Sequence, residues 1–134
     1  MPIDSMYAHR ILGNFYFVRQ RWPEALAEYM IYDNDRSTAK FELVPVLVGL
    51  GRRREADSVR AVLERRSIQG GRLADVVVAY AALGDSAHTL EWLGRAIDQY
   101  DGGLLAAAIP TRKEFDFIRN DPRFKALMAR MGVR

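Results

Sequence analysis

Few side chains in this sequence could carry chemistry. His9 and His88 are its only imidazoles. They fall in different segments, neither with a carboxylate at a clear metal-binding spacing, so both read as structural, His88 on a surface helix. No cysteine is present, which excludes disulfides, thiolate catalysis and cysteine-based zinc sites. The carboxylate pairs are no more suggestive. Asp33 and Asp35 flank a loop, and Asp98 and Asp101 lie at a helix end. There is no GxSxG, no phosphate-cradling P-loop and no GxGxxG. With no nucleophile, base or metal set, the expectation is a protein that is not an enzyme and uses no cofactor or metal.

Arginine is the most conspicuous charged residue, supplying 17 of the 20 basic side chains. Arg52, Arg53, Arg54, Arg60, Arg65, Arg66 and Arg72 crowd one stretch, the pattern a phosphate or nucleic-acid patch would show. Glu55, Asp57 and Glu64 interleave with them, and no aromatic platform sits among them. The net charge is only +3, so nucleic acid is not the expected partner. The N-terminus has an acid and no long apolar run behind a basic patch, so neither a signal peptide nor a membrane span is expected, and a cytoplasmic location is the default. Met1 suggests a free-standing chain, although a domain cut from a longer one would read the same.

The elements that would position these residues are helices. Asp4 or Ser5 is expected to cap the first. Ile11, Leu12, Phe15, Tyr16 and Val18 are apolar at helical spacings, and the turn Gln20-Arg21-Trp22-Pro23 leads into a second helix with Ala25, Leu26, Tyr29, Met30 and Ile31. Ala25 is placed where the two backbones must approach. A third helix is expected from a cap at Ser37 or Thr38 to Leu50, with Pro45 either kinking it or delaying its start. A fourth runs from Arg52 to Arg66, a fifth from Leu73 to Leu83 and a sixth from about Ala87 to Tyr100. Leu12 and Leu93 are expected in the core between helices. After Gly102-Gly103, Leu104 to Ile109 reads as a short helix and Glu114 to Arg119 as one turn; Asp121 as N-cap and Pro122 at the first position open a last helix.

A period runs through these elements. Gln20, Gly51 and Gly84 occupy one turn position in successive hairpins, Ala25, Ala56 and Thr89 a later one, and Tyr16, Leu47 and Tyr80 an earlier one. Together with Leu12-Gly13, Tyr16, Ala25 and Tyr29 at the family spacing, this resembles the tetratricopeptide repeat (TPR). His9 stands where that family often has Trp and is expected to pack there. The string from Phe115 to Phe124, with Leu127 and Gly132, resembles the closing segment of bacterial TPR arrays. Phe115, Phe117, Phe124 and Leu127 would then cover the last apolar face.

The resemblance implies an all-α fold: one domain over 1–134, a right-handed solenoid of hairpins at about 4–34, 37–67 and 71–100, closed by a cap over 101–134. It also implies a concave surface lined by the first helix of each hairpin. Family positions place Tyr7, Arg10, Asn14 and Phe17 there in the first unit, Thr38, Glu42 and Pro45 in the second, and Ala74, Asp75 and Val78 in the third. Asn at the position of Asn14 holds a peptide backbone in several members of the family. The clamp that takes acidic C-terminal peptides uses further Lys and Arg on these helices; only Arg10 is offered here, opposed by Asp75, so such a peptide is disfavoured. The expected function is non-catalytic binding of a protein or peptide. The alternatives are a self-associating module, which would be a homodimer, and a ligand-sensing domain of a larger signalling protein.

Overall fold

The computed structural model describes residues 3–32, 42–70, 73–99 and 113–131. Among these the chain is all-α. Its helices are α1 (Ile3–Val18), α2 (Trp22–Tyr32), α3 (Leu43–Gly49), α4 (Arg53–Ile68), α5 (Leu73–Ala82), α6 (Ser86–Gln99), a 3₁₀ helix (Lys113–Ile118) and α7 (Pro122–Arg130). No helix among the described residues is long and apolar enough to cross a membrane. The chain divides into two compact units, Met1–Leu63 and Glu64–Arg134, with the boundary inside α4.

One turn is built three times. Gln20, Gly51 and Gly84 have φ of 58°, 77° and 75°. Each amide donates to the carbonyl three residues back, and the following amide (Arg21, Arg52, Asp85) donates to the carbonyl five back, on Tyr16, Leu47 and Tyr80. This is a Schellman ending, which satisfies the orphan carbonyls of a helix through one left-handed residue. The residue after the left-handed one then opens the next helix. Its carbonyl accepts from Ala25, Ala56 and Thr89 at 3.0, 3.1 and 3.0 Å, and all three of those residues are fully buried. Thr89 stands where the other two hairpins have Ala, and its hydroxyl is satisfied by donating to the Asp85 carbonyl at 2.5 Å.

In the first unit α1 packs along α2, and α2 carries α3. The α1–α2 approach is close because Gly13 has no side chain: a Cβ there would meet the Tyr29 ring at 2.5 Å. Gly49 plays the same part against Trp22, where a Cβ would fall 2.4 Å from the indole nitrogen. Pro45 lies in the first turn of α3, where its missing N–H costs nothing, and α3 buries Leu43, Val44, Pro45, Val46 and Leu47. The expected caps at Ser37 and Thr38 lie outside the described residues. Asp4 and Ser5 fall inside α1 rather than capping it.

In the second unit α5 packs along α6, the 3₁₀ helix lies on α5, and α7 lies on α6. The β-branched run in α5 is helical and buried, with Val76, Val77 and Ala79 at 0 % exposure. Phe115 stacks on Phe124 with ring centroids 6.1 Å apart, and both are buried. Arg130 of α7 pairs with Asp98 of α6. Asp121 is the N-cap of α7, its carboxylate accepting the Arg123 amide at 2.8 Å, with Pro122 in the first position. Phe117, expected to join this cover, is instead about half exposed: on the 3₁₀ helix it points away from the face that carries Phe115 and Ile118. The expected helix over 104–109 lies outside the described residues.

Candidate functional site: one face of the first helix

The family resemblance implies partner contact on the leading helix of each hairpin, and α1 carries the most residues so implied. Arg10, Asn14 and Phe17 follow at i, i+4 and i+7, a spacing that puts them in one row. Arg10 and Asn14 are exposed and Phe17 is half-buried. Tyr7 extends the row in α1, its side chain outside those described. In a neighbouring row His9 and Gly13 face α2.

Asn14 is not a loose surface amide. The Tyr29 hydroxyl, reaching from α2, donates to its Oδ1 at 2.6 Å. With the bond in this direction the oxygen is engaged and Nδ2 is left as the group that can donate; the direction is an assignment, because a tyrosine hydroxyl also accepts. Tyr29 is itself held, with only 3 % of its surface exposed and its ring filling the space beside Gly13. The positioning therefore comes from packing. At the other end of the row, Phe17 meets Trp22 edge-on at 5.5 Å, so the aromatic is braced across the turn.

The remaining assigned residues belong to other elements. Glu42 immediately precedes α3, half-exposed and already helical in backbone (φ −62°, ψ −25°). Asp75 and Val78 belong to α5 in the second unit. Val78 is 7 % exposed and so serves packing, with little surface to offer a partner.

The histidines are both paired with carboxylates. His9 Nδ1 lies 2.5 Å from Glu28 Oε2, a cross-helix link within the α1–α2 hairpin that leaves the imidazole partly buried. The partner was not legible because Glu28 is nineteen residues away and meets His9 only when the hairpin closes. His88 lies on the surface of α6, bonded to Asp85 at 2.7 Å and stacked on Tyr80 with centroids 4.8 Å apart. Tyr80 in turn donates to Glu64 at 2.9 Å. The Asp85–His88 pair falls on the turn register that also pairs Arg21 with Glu24 and Arg52 with Glu55. In each hairpin the residue that opens the second helix bonds the one three further on; in the third the acid comes first and a histidine second. In the first two hairpins the signal was present in the sequence as an Arg–Glu pair at i, i+3.

Within the arginine-rich stretch, Arg52 is bound by both oxygens of Glu55 at 2.8 and 2.6 Å, and Arg60 by Asp57 at 2.8 Å. The Arg52 hydrogen bond holds the Glu55 carboxyl below the usual glutamate range, and Glu55 raises the Arg52 guanidinium in return. These charges are spent on one another along α4.

A scan of the chain against models of known protein families found no match, and searches of curated proteins and of solved structures found none either.

Proposed function

We propose that this protein is a non-catalytic binding scaffold of TPR type that takes an extended peptide or protein segment along the leading helices of its hairpins. The observation that carries the reading is the Tyr29–Asn14 bond, which presents a side-chain amide in fixed orientation on a packed helix between Arg10 and Phe17. A preoriented amide suits the recognition of backbone carbonyls, because the cost of ordering it is met by the fold before a partner arrives. The thrice-repeated turn supports the hairpin-repeat reading, and with it a solenoid closed by the C-terminal helices.

The test is selection from a display library of random short peptides on the intact chain, with each selected peptide re-measured on Asn14→Ala. Selected peptides should bind the variant at least tenfold more weakly while its circular dichroism stays unchanged. Equal affinity for the variant would remove the α1 row as the binding surface.

A further inference from the structure

The recurring turn gives a register in which faces of different hairpins can be compared. Counting back from its left-handed residue, Leu12, Phe15 and Arg19 fall at the positions of Leu43, Val46 and Leu50 in the second hairpin and of Val76, Ala79 and Leu83 in the third. The spacing i, i+3, i+7 keeps each set on one side of its helix and of the turn just past it. In the later hairpins that side is closed. Leu43 is 8 % exposed, Val46, Val76 and Ala79 are 0 % and Leu83 is 7 %; Leu50 is half-buried. On α1 the same side is open, with Leu12 at 41 % and Phe15 at 46 %, and Ile11 and Val18 beside them are more exposed still.

An apolar face left open at the edge of a fold is an association hazard, and repeat folds meet it by making the outer face polar. The change from leucine to arginine at this position falls in the hairpin whose face is open. The arginine also lies down on that face. The Arg19 guanidinium sits 3.6 Å from the centroid of the Phe15 ring, and its Nη1 donates to the Phe15 carbonyl at 3.3 Å. The flat head covers part of the ring and the stem runs along the apolar row. Among the described residues no carboxylate pairs with Arg19, so its charge stays on the face it covers.

We propose that Arg19 guards the leading edge of this fold, keeping the open face of α1 from closing on a second copy. Two copies meeting at this face would bring two uncompensated guanidinium groups into one interface and would have to strip each from its ring. The gain is too small to offset that: the open side chains present on the order of 400 Å² of apolar surface per copy, so two faces bury roughly 800 Å², below the ~1,200 Å² at which specific interfaces begin. Leucine, which the later hairpins carry here, would remove the charge, uncover Phe15 and lengthen the apolar row.

The experiment is static light scattering of the intact chain from 10 μM to 1 mM, read as weight-average mass and second virial coefficient. The wild type should keep the monomer mass and a positive coefficient. Arg19→Leu should shift the coefficient to negative, with the mass rising with concentration and circular dichroism unchanged. Arg19→Gln adds no apolar side chain and should lower the coefficient by less; it serves if leucine disturbs the fold. Adding Phe15→Glu to Arg19→Leu should restore the wild-type values. Arg95→Leu is the matched control. Arg95 also lies over a ring, 4.7 Å from the Trp92 centroid, but Trp92 is buried, so the same loss of charge should leave the coefficient positive. A wild type that associates, an Arg19→Leu chain that stays monomeric, or an equal shift in Arg19→Leu and Arg95→Leu would each overturn the proposal. Asn14 lies on another row, so either result leaves the peptide reading untouched.

Discussion

In the first hairpin a glycine on the leading helix faces a tyrosine on the following one; in the third, at the same two positions, a valine and a leucine do the work. Gly13 leaves room that the Tyr29 ring fills, whereas Val77 and Leu93 divide the space between them, both at 0 % exposure. The turn between the helices is the same in both, down to the left-handed residue and its two hydrogen bonds. Both pairs are buried between their helices, as close packing requires. What differs is chemistry. The tyrosine carries a hydroxyl to the helix surface and fixes Asn14 there, while the aliphatic pair only packs. On the proposed reading that difference equips the first hairpin to bind, while the pair in the third serves the core.

The largest effect that can break this comparison is in the core. Leu93→Ala should cost about 2–5 kcal/mol, because it empties a site with no exposed surface. Leu12→Ala should cost about 1 kcal/mol or less, since the side chain is 41 % exposed and no enclosed cavity forms. Urea denaturation followed by circular dichroism measures both, and equal losses would show that the first hairpin is as closed as the third. Next is Gly13→Ala. Helix propensity alone would favour it by about 1 kcal/mol, but the new methyl meets Tyr29 at 2.5 Å. The ring is buried and its hydroxyl is bonded, so the clash should prevail, with a net loss of about 1–3 kcal/mol. The same variant should release Asn14 and weaken any peptide selected on the wild type.

The equal weight that the sequence gives Leu12 and Leu93 shows where reading from sequence stops. The turns were legible at spacings of 31 and 33 residues because a left-handed residue constrains its own chemistry: two of the three are glycine. Ala25, Ala56 and Thr89 were legible for the same kind of reason, since only small residues fit where backbones meet. Asp121 and Pro122 announced α7 through local capping. Leu12 is different. Its type and spacing say core, yet its burial depends on a helix that must lie across it, and no pattern within α1 reports whether one does. Phe117 went astray for a simpler reason: two residues on from Phe115 it faces the other way on any helix, while Ile118, three on, returns to the buried face. The Tyr29–Asn14 and His9–Glu28 bonds join residues 15 and 19 apart. They arise from the register of two helices, which the turn sets but the pattern of apolar residues does not display.

The turn itself can be used to sharpen the comparison. Gly84→Ala should cost about 1–2 kcal/mol, because a Cβ is strained at φ 75° while nothing lies within 4 Å to compensate or clash. Gln20→Gly is the mirror experiment. Gln20 already bears that strain at φ 58°, so glycine should gain about 0.5–1 kcal/mol after its own entropic cost. Thermal melts of the two variants should move in opposite directions. If both destabilise, the first turn is held by its side chain, and the equivalence of the three turns is only geometric.

The smallest effect tests the charge pair that follows the turn. In the second hairpin the hydrogen bond from Arg52 holds the Glu55 carboxyl below the usual glutamate range. A depressed folded-state pKa means that the unfolded chain takes up the proton first as pH falls. The pair's contribution is therefore complete above the ordinary glutamate value of about 4.3 and is lost as pH drops through the lower folded value. Both side chains are about half exposed and screened by solvent, so the change in stability should be slight, and the useful readout is the titration itself. Carboxyl carbon shifts should show Glu55 titrating below the ordinary range in the wild type and returning to it in Arg52→Gln. In the third hairpin Asp85 stands at the position of Arg52 and bonds the His88 amide directly. Asp85→Ala should therefore cost about 1 kcal/mol as the loss of a true N-cap, where Arg52→Ala costs only an exposed pair. The same turn would then be shown to open its second helix by two different means: a side-chain cap in one hairpin, and a solvent-screened ion pair in the other.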